Sequence, residues 1–354
     1  MSESSPDTRP VAARHAVDVE RLAGWIATNV GPLQGPLEIA QFKGGQSNPT
    51  YLLSCGPRRY VMRRKPPGKL LPSAHAVDRE FRVIRALAET GVPVARAYAL
   101  CEDDSVIGTA FYLMEYVQGR VFWDPRLPGV ERAQRRPIHD EINRVIAALH
   151  RVDPQAVGLG DYGRSGEYVA RQVARWSKQY QASETERIEA MDSLIAWLPE
   201  NIPQGDETRI VHGDYRIDNV IFHPEEPRIL AVLDWELSTL GHPLADFANH
   251  CMAWRIPPGV FRGLGGEDLA ALGIQSEREY VEAYCRRTGR DGIDPRDWEY
   301  YMVYNMFRIA AILQGVLARA MQGNASSAQA LETGRGARPL AEMAWRQVER
   351  LKAS

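Results

Sequence analysis

The stretch Val211-His212-Gly213-Asp214-Tyr215-Arg216-Ile217-Asp218-Asn219-Val220-Ile221, followed by Leu233-Asp234-Trp235-Glu236, decides the fold. Apolar residues bracket a polar loop in which an acid, Asp214, and an amide, Asn219, stand five positions apart. A second acid, Asp234, ends the next apolar run, residues 228–233. Asp and Asn are also ordinary turn residues, since both side chains bond nearby backbone and tolerate unusual dihedrals. The downstream acid lifts the loop above a turn: the set offers one group to take a proton and two to present oxygen to a hard cation.

Such a set matches phosphoryl transfer, which needs a base beside the attacking hydroxyl and oxygen ligands that hold magnesium on the nucleotide phosphates. Asp214 is the expected base, and Asn219 and Asp234 are the expected metal ligands; Asp218 and Glu236 are the substitutes if Asp234 is structural. Upstream, residues 37–42 alternate as a strand, residues 43–48 form a glycine loop, and residues 50–54 make a second strand. Gly44 and Gly45 let backbone N–H groups approach phosphate oxygens, and Ser47 and Asn48 add side-chain donors, although a plain hairpin turn uses the same residues. Residues 59–63 read as a third strand with Val61 and Arg63 on one face. A helix over 74–91 buries Val77, Phe81, Ile84 and Leu87 and carries Glu80. Two more strands, 94–100 and 109–117, flank an acidic turn at 102–104.

These motifs resemble the aminoglycoside phosphotransferase and choline kinase superfamily, whose H-G-D-x-x-x-x-N stands where protein kinases have H-R-D-x-x-x-x-N. Within it, Gly44-Gly45-Gln46-Ser47-Asn48, residues 62–68, Met114-Glu115-Tyr116-Val117-Gln118-Gly119-Arg120 and His212–Asn219 resemble the phosphotransferase domains found fused to acyl-CoA dehydrogenases. The resemblance implies an α+β, protein-kinase-like fold of two lobes: a small antiparallel sheet with one helix, then a mostly helical lobe. Residues 1–16 read as a flexible tail, 17–118 as the first lobe and 119–354 as the second. It also implies ATP with Mg2+, Val61 over the adenine, and Arg63 on the phosphates in place of the usual lysine, tied to Glu80. Arginine keeps the charge and adds a bidentate fork; Lys65 is the competing candidate, and Glu80 as a solvated charge is the plainer reading of that acid. Met114, Glu115 and Val117 fall where kinases join their lobes, so the Glu115 carbonyl and the Val117 amide are the expected adenine contacts. Asp246 is expected to support the catalytic-loop backbone.

With 354 residues, 44% hydrophobic and 25% charged, the chain has the composition of an ordinary globular protein with room for two cores. A net charge of -2 argues against nucleic acid. Four scattered cysteines offer neither a zinc site nor a disulfide framework, and the polar first sixteen residues lack a secretory core, so a cytoplasmic enzyme with no membrane or nucleic-acid partner is expected. The apolar run 300–321, interrupted by Asn305, Arg308 and Gln314, reads as a buried helix. Further helices are expected at 137–152, 166–182, 184–198, 276–287, 295–321 and 326–352, with His242 and His250 as core or turn residues.

The acceptor is the least legible part. A polycationic aminoglycoside calls for a carboxylate rim, and acidic and basic residues balance from Glu236 onward. The resemblance implies instead a hydroxylated acyl-CoA, with Arg64, Lys65, Lys69, Arg255 or Arg262 available to coenzyme A phosphates. An amino-alcohol or aminoglycoside kinase, and a non-catalytic nucleotide-binding scaffold, are the alternatives.

Overall fold

Alternating side chains build a six-stranded antiparallel sheet, ordered β1-β2-β3-β4-β6-β5. A computed structural model describes residues 8–12, 16–43, 48–66, 76–259, 262–323 and 329–353, which fall into two compact units. The first unit runs to Gly119 and takes in Leu230–Glu236. Its elements are β1 (Thr8–Arg9), α1 (Val19–Asn29), β2 (Glu38–Phe42), β3 (Thr50–Cys55), β4 (Arg58–Arg64), α2 (Val77–Leu87), β5 (Ala97–Cys101), α3 (Asp104–Ile107) and β6 (Phe111–Glu115). Leu22 and Ile26 of α1 pack with Tyr51, Leu53, Met62 and Leu113, residues two apart on their strands and so on one sheet face. Helix α2 packs against β5 and β6.

Two expectations are corrected here. Thr8 and Arg9, placed in the tail, pair with Phe42 and Gln41 as an edge strand, a contact made by backbone groups that leaves no side-chain pattern. The acidic turn is a short helix, because the Asp103 carboxylate accepts from the Ser105 amide at 2.8 Å and caps α3.

The second unit holds Arg120–Ile229 and Leu237–Ser354. In chain order come α4 (Arg132–Arg151), α5 (Tyr168–Ala182), α6 (Glu189–Glu200), β7 (Arg209–Val211), β8 (Val220–Phe222), β9 (Ile229–Val232, most of it assigned to the first unit), β10 (Thr239–Gly241) and α7 (Pro243–Cys251). They are followed by α8 (Leu269–Leu272), α9 (Glu277–Thr288), α10 (Pro295–Met321), α11 (Ala330–Gly334) and α12 (Ala337–Ala353). Helix α10 is the axis, packed by α5, α7, α11 and α12. It is long and apolar enough to cross a membrane by length and composition, yet 72% of its apolar stretch is buried within the protein. The single helix expected over 326–352 is two: a side chain at Gly334 would sit 2.6 Å from Leu317 Cβ, so α11 closes directly onto α10 before α12 departs.

Candidate active site

Strand β7 delivers the chain into His212-Gly213-Asp214. Gly213 has φ +82°, and a Cβ there would stand 2.8 Å from the Leu237 carbonyl oxygen, so the position admits only glycine without rearrangement. Two amides of the loop are held by one carboxylate: His212 N donates to Asp246 Oδ2 and Gly213 N to Asp246 Oδ1, both at 2.8 Å. Asp246 lies in the first turn of α7, and His150 of α4 approaches its Oδ2 at 3.2 Å. Burial pushes the Asp246 carboxyl up, but the contacts from His150 and His212 outweigh it and hold the group below the usual range. Asp246 is therefore the support for the loop that its sequence position led us to expect.

Asp214 keeps about a quarter of its side chain exposed (26%), enough for a substrate group to reach it. Burial raises its carboxyl above the ordinary value, against the lowering influence of Arg216, whose Nε is 3.3 Å from Oδ1. Asn219 ends a short 3-10 turn, Ile217–Asn219, and its Nδ2 donates to the Asp214 carbonyl at 2.9 Å and to Asp214 Oδ2 at 3.3 Å. With its NH2 so engaged, the Asn219 carbonyl oxygen is the atom of that amide suited to a hard cation. Arg308 of α10 donates to the Gly213 carbonyl at 2.8 Å and to Asn249 Oδ1 at 3.1 Å. In the sequence Arg308 registered only as an interruption of an apolar run.

In the first unit, Arg63 of β4 gathers three carboxylates. Its Nε is 2.9 Å from Glu80 Oε2, and its Nη2 is 2.8 Å from Asp234 Oδ1 and 3.5 Å from Glu236 Oε2. Glu80 also accepts from Tyr112 Oη at 3.0 Å and from Asn48 Nδ2 at 2.7 Å. Burial pushes the Glu80 carboxyl up to about 7 despite Arg63, and Glu236 and Asp234 add to the rise. One guanidinium among three carboxylates leaves an anionic cluster suited to a divalent cation. Asp234 itself has φ +62°, a left-handed conformation that stores about 1–3 kcal/mol of strain. Carboxylate Asp234 and amide oxygen Asn219 are the hard donors magnesium takes, so both fit the ion.

Several expected residues are placed differently. Asn48, read as a phosphate donor, is fully buried and bonded to Glu80, so it positions the Arg63 pair. Lys65 stands 3.8 Å from Asp78 and takes no part in the Glu80 cluster. Of the basic residues considered for coenzyme A, Arg64 is buried over the Tyr51 ring, and Arg255 is clamped bidentately between Glu277 and Glu299. Val61 pairs across the sheet with Met114, both nearly buried, and Glu115 ends β6, its amide bonded to the Arg96 carbonyl. Val117 follows two residues after β6. Gly44, Gly45, Ser47 and Lys69 lie outside the described residues.

The model of the family described as "Phosphotransferase enzyme family" matches residues 38–301. Mouse acyl-CoA dehydrogenase family member 10 is 48% identical over 343 residues, covering 96% of this chain and 32% of that protein; the chain spans about a third of that relative's length. A Ralstonia eutropha JMP134 crystal structure, provisionally named an aminoglycoside phosphotransferase, is 58% identical with a TM-score of 0.88 and covers 95% of this chain and 99% of its own. Spectinomycin phosphotransferase, crystallised with ADP and spectinomycin, is 13% identical with a TM-score of 0.62, covering 94% and 99%; at that identity the likeness is one of fold.

Proposed function

We propose, from the premise that the chain belongs to the phosphotransferase enzyme family and has its protein-kinase-like fold, that it is an ATP-dependent small-molecule kinase acting on a hydroxylated acyl-CoA. The observation that carries the kinase reading is the Asn219 amide bonded to Asp214 at both its backbone and its carboxylate, which fixes a base beside a metal-binding oxygen. In the reaction, the acceptor oxygen forms a bond to the terminal phosphorus, and the bond from that phosphorus to the bridging oxygen breaks. The electron pair leaves with ADP, and the hydroxyl proton passes to Asp214. Magnesium, held by the Asn219 oxygen and Asp234, supplies charge neutralisation on the phosphates. Arg63 steadies those phosphates while paired with Glu80. The ADP bound by spectinomycin phosphotransferase supports an ATP-type donor.

The acceptor reading is supported by the 48% identity to a protein named for acyl-CoA dehydrogenation and by the charges around Asp214. Asp218, the nearest further carboxylate of the loop, is met by Arg262 at 2.8 Å and Arg216 at 3.4 Å, so it offers no free acidic rim to a polycation. The deciding experiment measures ATP consumption and phosphorylated product across hydroxyacyl-CoA thioesters, the matching free hydroxy acids, choline-like alcohols and aminoglycosides. Turnover confined to cationic acceptors overturns the acyl-CoA reading. Turnover of thioesters but not free acids shows that coenzyme A is itself recognised.

A further inference from the structure

We infer that the cavity beside Asp214 receives the short apolar end of the acceptor, so that the phosphorylated hydroxyl lies two or three carbons from the end of an alkyl chain. The inference rests on the reading of Asp214 as the base. The cavity measures about 60 Å³ and lies wholly within the second unit. Asp214 forms one wall, and Ile217, Met252, Trp254, Ile256 and Ile309 supply most of the remainder. A group lodged there is covalently continuous with the hydroxyl that Asp214 deprotonates.

Exposure distinguishes the two ends. Trp123 is 61% exposed, with the Arg262 guanidinium 5.2 Å above its ring, and these residues mark the mouth. Met252, Trp254 and Ile256 are buried and mark the closed end. His139 and His250 also line the cavity without charging it. Burial holds them down at about 4 and about 3, so both are neutral near pH 7, with His139 Nε2 on the Pro125 carbonyl and His250 Nε2 on Tyr280 Oη. The arginines at the mouth are engaged with Asp218. The closed end is therefore uncharged and mostly hydrocarbon, which suits an alkyl group and disfavours a sugar ring dense in hydroxyls and ammonium groups.

Size sets the chain length. An apolar cavity of about 150 Å³ takes a six-carbon benzene ring, so about 60 Å³ takes two or three carbons. The wall does not yield easily. Trp254 is pinned by its Nε1 to the Gln275 carbonyl at 2.8 Å and packs against Tyr280, His139 and His250 with ring centroids 4.3, 5.5 and 5.8 Å away. Trp254, Met252 and Ile256 thus determine specificity by length.

The test is saturation-transfer NMR on the intact chain with straight-chain alcohols from ethanol to 1-hexanol, which report binding without turnover, joined to kcat/KM for hydroxyacyl-CoA thioesters with one to five carbons beyond the carbinol. Affinity should rise about fourfold per added methylene up to two or three carbons beyond the carbinol, then fall at least about tenfold at five. Met252→Ala, and the milder Ile256→Val, should move the optimum toward longer chains. Absence of alcohol binding, a response indifferent to length, or an optimum unmoved by both variants overturns the inference, even if thioesters are phosphorylated. The expected alcohol series without phosphorylation of any acceptor upholds the pocket and removes the kinase.

Discussion

Asn219 Nδ2 donates to Asp214 twice, at 2.9 Å to the carbonyl and at 3.3 Å to Oδ2, so the base and the expected metal ligand form one mechanical piece. Asp214→Ala should reduce kcat by about 100- to 10,000-fold while nucleotide affinity stays within a few-fold. Asn219→Ala should lower kcat and also raise the magnesium concentration needed for half-maximal rate. Because burial raises the Asp214 carboxyl, the acid limb of the kcat profile should lie above the ordinary aspartate value, with activity lost as pH falls through it. Near-wild-type phosphorylation by Asp214→Ala with any acceptor removes the assignment.

Arg63 is the cation that holds Glu80, Asp234 and Glu236 together. Arg63→Met leaves those carboxylates uncompensated and should destabilise the first unit by about 3–5 kcal/mol, the magnitude typical of one charge removed from a buried pair. The deficit should shrink at pH 5, because protonation of Glu80, already pushed up to about 7, relieves the repulsion. Amide exchange in β3 and β4 at pH 7 and pH 5 reads both effects. Equal protection in variant and wild type shows the cluster to be unimportant to folding.

Asp234→Asn separates charge from shape. Asparagine tolerates the left-handed backbone that Asp234 adopts at φ +62°, so the fold should survive, and removing one of three clustered carboxylates should leave stability equal or improved. Calorimetry should show magnesium-nucleotide binding weakened at least about tenfold. Unchanged binding with retained activity makes Asp234 structural and passes the ligand role to Asp218 or Glu236.

Legibility followed locality. The acid-to-amide spacing of 214 and 219 and the Pro295–Met321 helix, entered through Asp294 with Pro295 at its first position, are written in consecutive residues. The Arg63–Glu80 pair was readable because strand alternation and helix spacing each fix one partner's face. Asn48 was misread because nothing local says that its amide turns inward to Glu80 rather than toward a ligand. Arg308 and the walls of the cavity were invisible for a related reason: Trp123, Ile217, Trp254 and Ile309 come from four separated segments and share no motif. Packing brings them together, and packing has no short-range signature.

Acid should unfold the second unit first. His139 and His242 are pushed down to about 4 and His250 to about 3, in each case chiefly by burial, from the value of about 6.5 that an unfolded chain restores. Between those values the native state binds fewer protons than the unfolded state, so stability rises with pH across the window. The contribution is complete above about pH 6.5 and disappears as pH falls toward 4. Three shifts of this size, at about 1.4 kcal/mol per pH unit, sum to the order of 10 kcal/mol, comparable to the whole stability of a domain. Glu80 acts oppositely in the first unit: its raised value means the folded form gains protons, and stability, as pH falls from about 7 to 4.5. Hydrogen exchange at pH 7, 5.5 and 4.5 should show protection lost in α7, which carries His250, while β3 and β4 remain protected. His250→Gln, which deletes the largest of the three shifts, should lower the acid midpoint measured by circular dichroism. Its readout is the slope against pH, so a uniform loss of stability does not mimic it. An acid midpoint unchanged in that variant, or protection lost first in β3 and β4, shows that the buried histidines do not control the transition.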